Sequence, residues 1–166
     1  KLANTFKNVK NVAIHHQTIN KYLGFLEDAF LVEKSIRYNI KWKKYINTLA
    51  KYYFSDLGIR NALLGFRQQE ETHIMENIIY NELRTRGLHV DVGMVETREP
   101  DKNGRLIRKQ LEVDFVVNQG SQRYYIQSAF AMPTLEKEAQ ESASLLLIND
   151  SFKKIIIVKD DIKSKR

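Results

Sequence analysis

Residues 110–117 alternate between two faces, with Leu111, Val113, Phe115 and Val117 on one side and Glu112, Asp114 and Val116 on the other. A period of two over such a stretch is a β-strand signal, and a strand with one apolar face needs paired neighbours and a covering layer. The flanking segments supply both. Upstream, residues 72–86 place Ile74, Ile78, Ile79 and Leu83 on one helical face with Gly87 as the stop, and 89–95 read as a strand. Residues 97–109 are charged and carry Pro100, Asp101, Asn103 and Gly104, which predicts a loop. Downstream, a turn around Gly120 leads to a third strand over 123–127, Pro133 introduces a helix over 134–147, and 154–158 form an apolar run suited to a buried parallel strand. The order is α-β-β-β-α-β around a mixed central sheet, an α/β unit in a chain that is α+β overall.

The first part of the chain reads differently. Residues 18–30 set Ile19, Tyr22, Leu23, Leu26 and Phe30 at helical spacing, and Leu2, Phe6 and Val9 suit a preceding helix, joined to it by residues 11–17 with His15 and His16. Two β-prone runs follow, 31–38 and 51–54, around the basic loop Lys41-Trp42-Lys43-Lys44. A helix-turn-helix followed by a hairpin with a basic tip is the plan of a winged helix. A short helix over 56–64 stops at Gly65, and the polar connector 68–71 marks the expected boundary. Two domains are therefore expected, a winged helix over 1–67 and the α/β unit over 68–166.

Charge follows the same division. Residues 1–65 hold 11 Lys/Arg against 4 Asp/Glu, whereas 66–166 hold 16 of each, so the whole net charge of +7 sits in the first part. A localised basic surface suits a polyanion. Gln17, Asn20 and Lys21 on the second helix and Lys41, Trp42, Lys43 and Lys44 on the loop are the candidate DNA contacts. There is no cysteine, which removes disulfides and thiolate metal sites and is compatible with a cytoplasmic protein. No apolar run approaches the roughly 20 residues of a membrane span, so no membrane insertion is expected. No G-x-x-x-x-G-K-[ST] phosphate loop is present, so this chain by itself is no P-loop ATPase.

Glu76 on the first helix of the α/β unit, Asp114 in its second strand and Gln127 at the end of its third resemble the acidic constellation of the PD-(D/E)xK, or restriction-endonuclease-like, nuclease fold. In such a site, oxygen ligands on adjacent strands hold Mg²⁺, which polarises phosphate and activates water. Asp114 and Gln127 would be the metal ligands. The third-strand motif here is Gln127-Ser128-Ala129, with an amide for the acid and Ala129 for the lysine that resemblance calls for. Lys109 or Arg108 are candidates to reach inward instead.

A longer ordered set, 18–23, 26–32, 51–62, 76–83, 112–116 and 125–127, is similar to the C-terminal domain of unknown function of prokaryotic AAA-type ATPases. That resemblance implies an upstream ATP-binding core, in keeping with a chain that opens on Lys1-Leu2-Ala3-Asn4 without an initiator Met. It also implies that Gln127 is a family habit. The resulting expectation is a DNA-binding or regulatory accessory module with a degenerate nuclease-like site and no cofactor of its own. The alternatives are a Mg²⁺-dependent nuclease acting on DNA and a protein-interaction module.

Overall fold

The computed structural model describes residues 11, 13–67, 70–101 and 104–159, with the side chains of all but residues 47–49. Its elements are α1 (His16–Asp28), β1 (Val32–Asn39), β2 (Lys44–Phe54), α2 (Leu57–Leu63), α3 (Glu71–Thr85), β3 (His89–Pro100), β4 (Leu106–Gln119), β5 (Gln122–Ala129), α4 (Leu135–Leu146) and β6 (Lys153–Val158). The helix expected on Leu2, Phe6 and Val9 lies outside the described residues. Local signals set several boundaries. Asp56 accepts the Ile59 N–H at 2.9 Å and Thr134 accepts the Lys137 N–H at 3.2 Å, each satisfying an orphan donor at a helix start.

Among the described residues the six strands form one sheet in the order β2-β1-β3-β4-β5-β6. The α-β-β-β-α-β order is present as α3-β3-β4-β5-α4-β6, with β3, β4 and β5 antiparallel and β6 parallel to β5. The protein is thus α+β with a mixed sheet. The hairpin expected as the wing of a separate domain is not free-standing. Its first strand pairs in parallel with β3, Arg37 opposite Val92 through Asn39 opposite Met94, so the sheet runs across the boundary expected between residues 67 and 68.

Helix α3 reinforces that continuity. Buried Asn77 accepts the Phe54 N–H and donates to the Phe54 carbonyl, both at 2.8 Å. Asn81 adds bonds to the carbonyls of Phe54 and Ser55 at 3.0 and 3.2 Å. The end of edge strand β2 is satisfied by side chains from the helix, which blunts it as a template for further pairing. Tyr53 of β2 stacks on Tyr80 of α3 with ring centroids 4.0 Å apart.

Two apolar layers cover the sheet. On the α3 face, Tyr53, Ile79, Tyr80, Val90, Phe115, Val117 and Ile126 pack together. On the α4 face, the packed set includes Tyr38, Val95, Val113, Val116, Tyr125, Leu145 and Ile148. The buried face of α3 is turned from the expected stripe: Ile78 is exposed, and Asn77, Ile79 and Tyr80 are buried.

The alternation along β4 breaks at its centre. Asp91 stands opposite Val116 and Gly93 opposite Val113, so Asp114 and Phe115 together face the single residue Val92. This β-bulge puts Phe115 and Val117 on the α3 face and Val113 and Val116 on the α4 face, correcting the expected set of Leu111, Val113, Phe115 and Val117. Gly93 makes the bulge possible. A Cβ there would lie 2.8 Å from both Val113 Cβ and Val116 Cγ2.

The loop expected over 97–109 is also corrected. Most of it is a continuation of β3 and β4, paired as far as Pro100 opposite Leu106. Apolar alternation fails there because cross-strand ion pairs replace apolar contacts: Arg108 with Glu96, and Lys109 with Glu99 at 2.9 Å.

Candidate functional site

Three acidic side chains converge on the α3 face where the bulge lies. Glu76 projects from α3, and Glu112 and Asp114 from alternate positions of β4. The cation that holds them together is Lys51 of β2. Its Nζ is 2.6 Å from Glu112 Oε1, 2.7 Å from Glu76 Oε1 and 3.5 Å from Asp114 Oδ1. Arg37 of β1 pairs with the other Glu112 oxygen at 2.5 Å, and the Tyr53 hydroxyl donates to Glu76 Oε1 at 2.7 Å.

The cluster is half-closed to solvent. Side-chain exposure is 12% for Asp114, 15% for Glu76, 24% for Lys51 and 30% for Glu112. Burial, reinforced by the neighbouring Glu76 charge, pushes the Asp114 carboxyl up to about 6, against the opposing pull of Lys51 and the Ser128 N–H. Burial disfavours the charge on Lys51, yet Glu76, Asp114 and Glu112 together outweigh it and hold the ammonium above the ordinary lysine range. Burial and then Glu76 raise the Tyr53 hydroxyl, which therefore stays a donor.

Gln127 takes a different part from the one expected. Its Oε1 accepts the backbone N–H of Asp114 at 3.3 Å, while Asp114 Oδ2 accepts the backbone N–H of Ser128 at 2.8 Å. The regular β4–β5 ladder ends at Phe115 opposite Ile126, and these two bonds extend the join by one step through side chains. Gln127 thus supports Asp114 and spends its amide oxygen on the backbone.

A divalent cation would need the carboxylate oxygens that Lys51 occupies. Two of the three acids lie within hydrogen-bond distance of its ammonium, so the positive charge at the centre of the cluster is the protein's own. Among the described residues, no group of three or more His, Asp or Glu is arranged to hold a metal ion. The donor set as built does not fit the metal that the resemblance implies.

Of the expected site residues, Glu76, Asp114 and Gln127 come together. Lys51 and Glu112 were missed. Glu112 sits two positions before Asp114, and the period of a strand places both on one face; Lys51 comes from a strand 25 residues before Glu76, and only the long-range pairing reveals it. Neither Lys109 nor Arg108 reaches inward, since each pairs with β3.

The remaining expected residues form separate surfaces. Gln17, Asn20 and Lys21 are all exposed on α1. Lys41, Trp42, Lys43 and Lys44 form the exposed tip between β1 and β2, where Trp42 N–H caps onto Asn39 Oδ1 at 2.9 Å and Lys41 Nζ lies over the Trp42 ring at 5.2 Å. Lys43 takes a positive φ of 51° in this turn, and Lys41, Lys43 and Lys44 enter no ion pair among the described residues.

Residues 2–70 match the family model described as Domain of unknown function (DUF8612). The chain is similar to an uncharacterized protein of Haemophilus influenzae, with 35% identity over 157 residues that cover 95% of this chain and 35% of that protein. It therefore spans about a third of the length of this curated relative. No solved structure matches the chain. No helix among the described residues is long and apolar enough to cross a membrane.

Proposed function

We propose that this chain is a nucleic-acid-binding accessory module of a longer prokaryotic AAA-type ATPase, carrying a nuclease-like core that does not hydrolyse its ligand. The observation that carries the reading is the position of Lys51, whose ammonium stands among Glu76, Glu112 and Asp114 where a catalytic metal would have to coordinate. The strand order and the meeting of Glu76 with Asp114 support descent from a restriction-endonuclease-like core; Ala129, buried and without a charge, supports its loss of activity. The exposed lysines at 41, 43 and 44 support retained attraction for phosphate. The length of the Haemophilus influenzae relative leaves room for an ATP-binding domain, which would supply the ATP chemistry this chain lacks.

A second reading is a metal-dependent DNA nuclease, in which Lys51 would have to leave Glu76 and Glu112 to a metal and supply, from β2, the positive charge missing from the third strand. The contact of Lys51 with Asp114 at 3.5 Å favours it. The test is incubation with duplex and single-stranded DNA in Mg²⁺ or Mn²⁺, alongside anisotropy binding across a salt series. The first reading expects salt-sensitive binding and intact DNA. Cleavage that disappears in both Asp114→Asn and Lys51→Met would establish the second.

A further inference from the structure

Cross-strand ion pairs account for Arg108 and Lys109 on the long β3–β4 arm but not for Arg98. Pairing of β1 with β3 ends at Asn39 opposite Met94, and pairing of β5 with β4 is confined to 115–119. From Val95 opposite Leu111 out to Pro100 opposite Leu106, the two strands pair only with each other among the described residues. At about 3.4 Å per residue this ribbon extends roughly 17 Å past the sheet. Its turn is closed by the Arg105 N–H bonding Asp101 Oδ1 at 2.8 Å and by Gly104 at φ 75°.

Arg98 and Arg108 stand directly opposite each other on this arm. Like charges at facing positions of an antiparallel pair oppose its formation. Arg108 has Glu96 as a partner, whereas Arg98 is exposed and takes part in no ion pair among the described residues. On the other face, Lys109 is balanced by Glu99. The imbalance therefore falls on one face of the ribbon. By strand alternation that face also carries Gln110 and Glu112, so the arginine pair is aligned with the Lys51 cluster, about 13 Å along β4 from Glu112. Leu106 and Ile107 at the tip are 68% and 50% exposed, an apolar end that burial does not explain.

We propose that the β3–β4 arm is a DNA-gripping ribbon, with Arg98 and Arg108 binding backbone phosphates of a duplex that lies along the face shared with the Lys51 cluster. A two-stranded ribbon has the width the major groove accepts, and arginine in pairs is suited to phosphate. The lysine tip at 41–44 lies at the same end of the sheet, because β1 and β3 run parallel. This inference rests on the nucleic-acid reading above and adds the element and the residues that make the contact.

The experiment is fluorescence anisotropy of a 25-base-pair duplex (an about two-turn probe) across KCl concentrations of about 50 to 200 mM. The chain is compared with Arg98→Gln/Arg108→Gln, with Arg98→Lys/Arg108→Lys and with Lys153→Gln on the opposite sheet edge. The glutamine pair is expected to weaken binding about ten- to hundredfold and to flatten the log–log salt slope by roughly 2, since each phosphate neutralised contributes about 0.9. The lysine pair and Lys153→Gln should keep the slope. Unchanged affinity and slope in a folded glutamine variant, with the unaltered chain still binding, would overturn the arm and leave the nucleic-acid reading intact. Weaker binding with an unchanged slope would overturn it as well, because phosphates would not be the partners. No binding by the unaltered chain at 50 mM KCl would remove both proposals together.

Discussion

Replacing Lys51 by Met keeps most of the aliphatic stem and removes only the charge at the centre of three carboxylates. Lys51 lies 2.6 and 2.7 Å from Glu112 and Glu76, and with a side chain 24% exposed it is screened more than a fully buried ion. Removing one member of a buried ion pair costs about 3–5 kcal/mol, and the partial exposure here points to the lower end or just below, roughly 2–3 kcal/mol. The loss belongs to the ionised carboxylates, so it must depend on pH. Lys51 stays protonated throughout, and the Asp114 carboxyl, pushed up to about 6, takes up its proton as the pH falls through that value. The gap between the unaltered chain and Lys51→Met should therefore be full at pH 8 and shrink as the pH falls through 6 towards 4. Urea denaturation followed by circular dichroism at pH 8, 6 and 4 reads this directly. A gap below about 1 kcal/mol at pH 8, the upper range of an exposed pair, would refute the claim that Lys51 organises the cluster. So would a gap that does not change with pH.

Other substitutions probe the frame that builds the site. Asp114→Asn should abolish a distinct pH response: the folded carboxyl is raised from an ordinary 3.8 to about 6, so it contributes stability fully below 3.8 and loses it as pH rises through 6, about 3 kcal/mol in all. Comparing denaturation midpoints at pH 4.5 and 7.5 checks this; an identical pH response in Asp114→Asn would exclude Asp114 as the source. Gly93→Ala forces a methyl within 2.8 Å of two β-branched side chains on β4 and should cost about 2–3 kcal/mol, seen as a lowered Tm; a neutral result would mean that the bulge can relax. Asn77→Ala leaves the Phe54 N–H without its helix partner, while the Phe54 carbonyl keeps Asn81, and should cost about 1–3 kcal/mol, with faster amide exchange at Phe54 as the local readout.

Much of this fold was legible because the apolar pattern changes period where the elements change. The helices over 71–85 and 135–146 and the strands β5 and β6 lie within a few residues of their expected bounds, and the tip at 41–44 is a turn between strands. What escaped was non-local. The hairpin over 32–54 carries the signals of a wing, but no residue in it announces that Arg37 will pair with Val92 55 positions later, and that pairing removes the separate wing. The bulge escaped because strict alternation is the simplest reading of residues 110–117; Gly93, on the partner strand, is what permits the extra residue. The arm escaped because charged residues and Pro100 suggest a loop when the cross-strand partners that stabilise them are unknown. For the site, Glu76, Asp114 and Gln127 could be found by their positions on successive elements. Lys51 could not, since its role follows from a strand that joins the sheet from outside the α-β-β-β-α-β core.

Titration of Mn²⁺ into the unaltered chain and into Lys51→Met by isothermal calorimetry at pH 7.5 tests the occupancy of the carboxylate cluster most directly. The unaltered chain should give no saturable heat below millimolar Mn²⁺. Lys51→Met, with Glu76, Glu112 and Asp114 released, should bind with an affinity that Asp114→Asn added to it reduces at least about tenfold, as expected for loss of a charged ligand to a hard cation. Tight binding by the unaltered chain, abolished by Asp114→Asn, would mean that Lys51 yields to a metal and that the site is not closed.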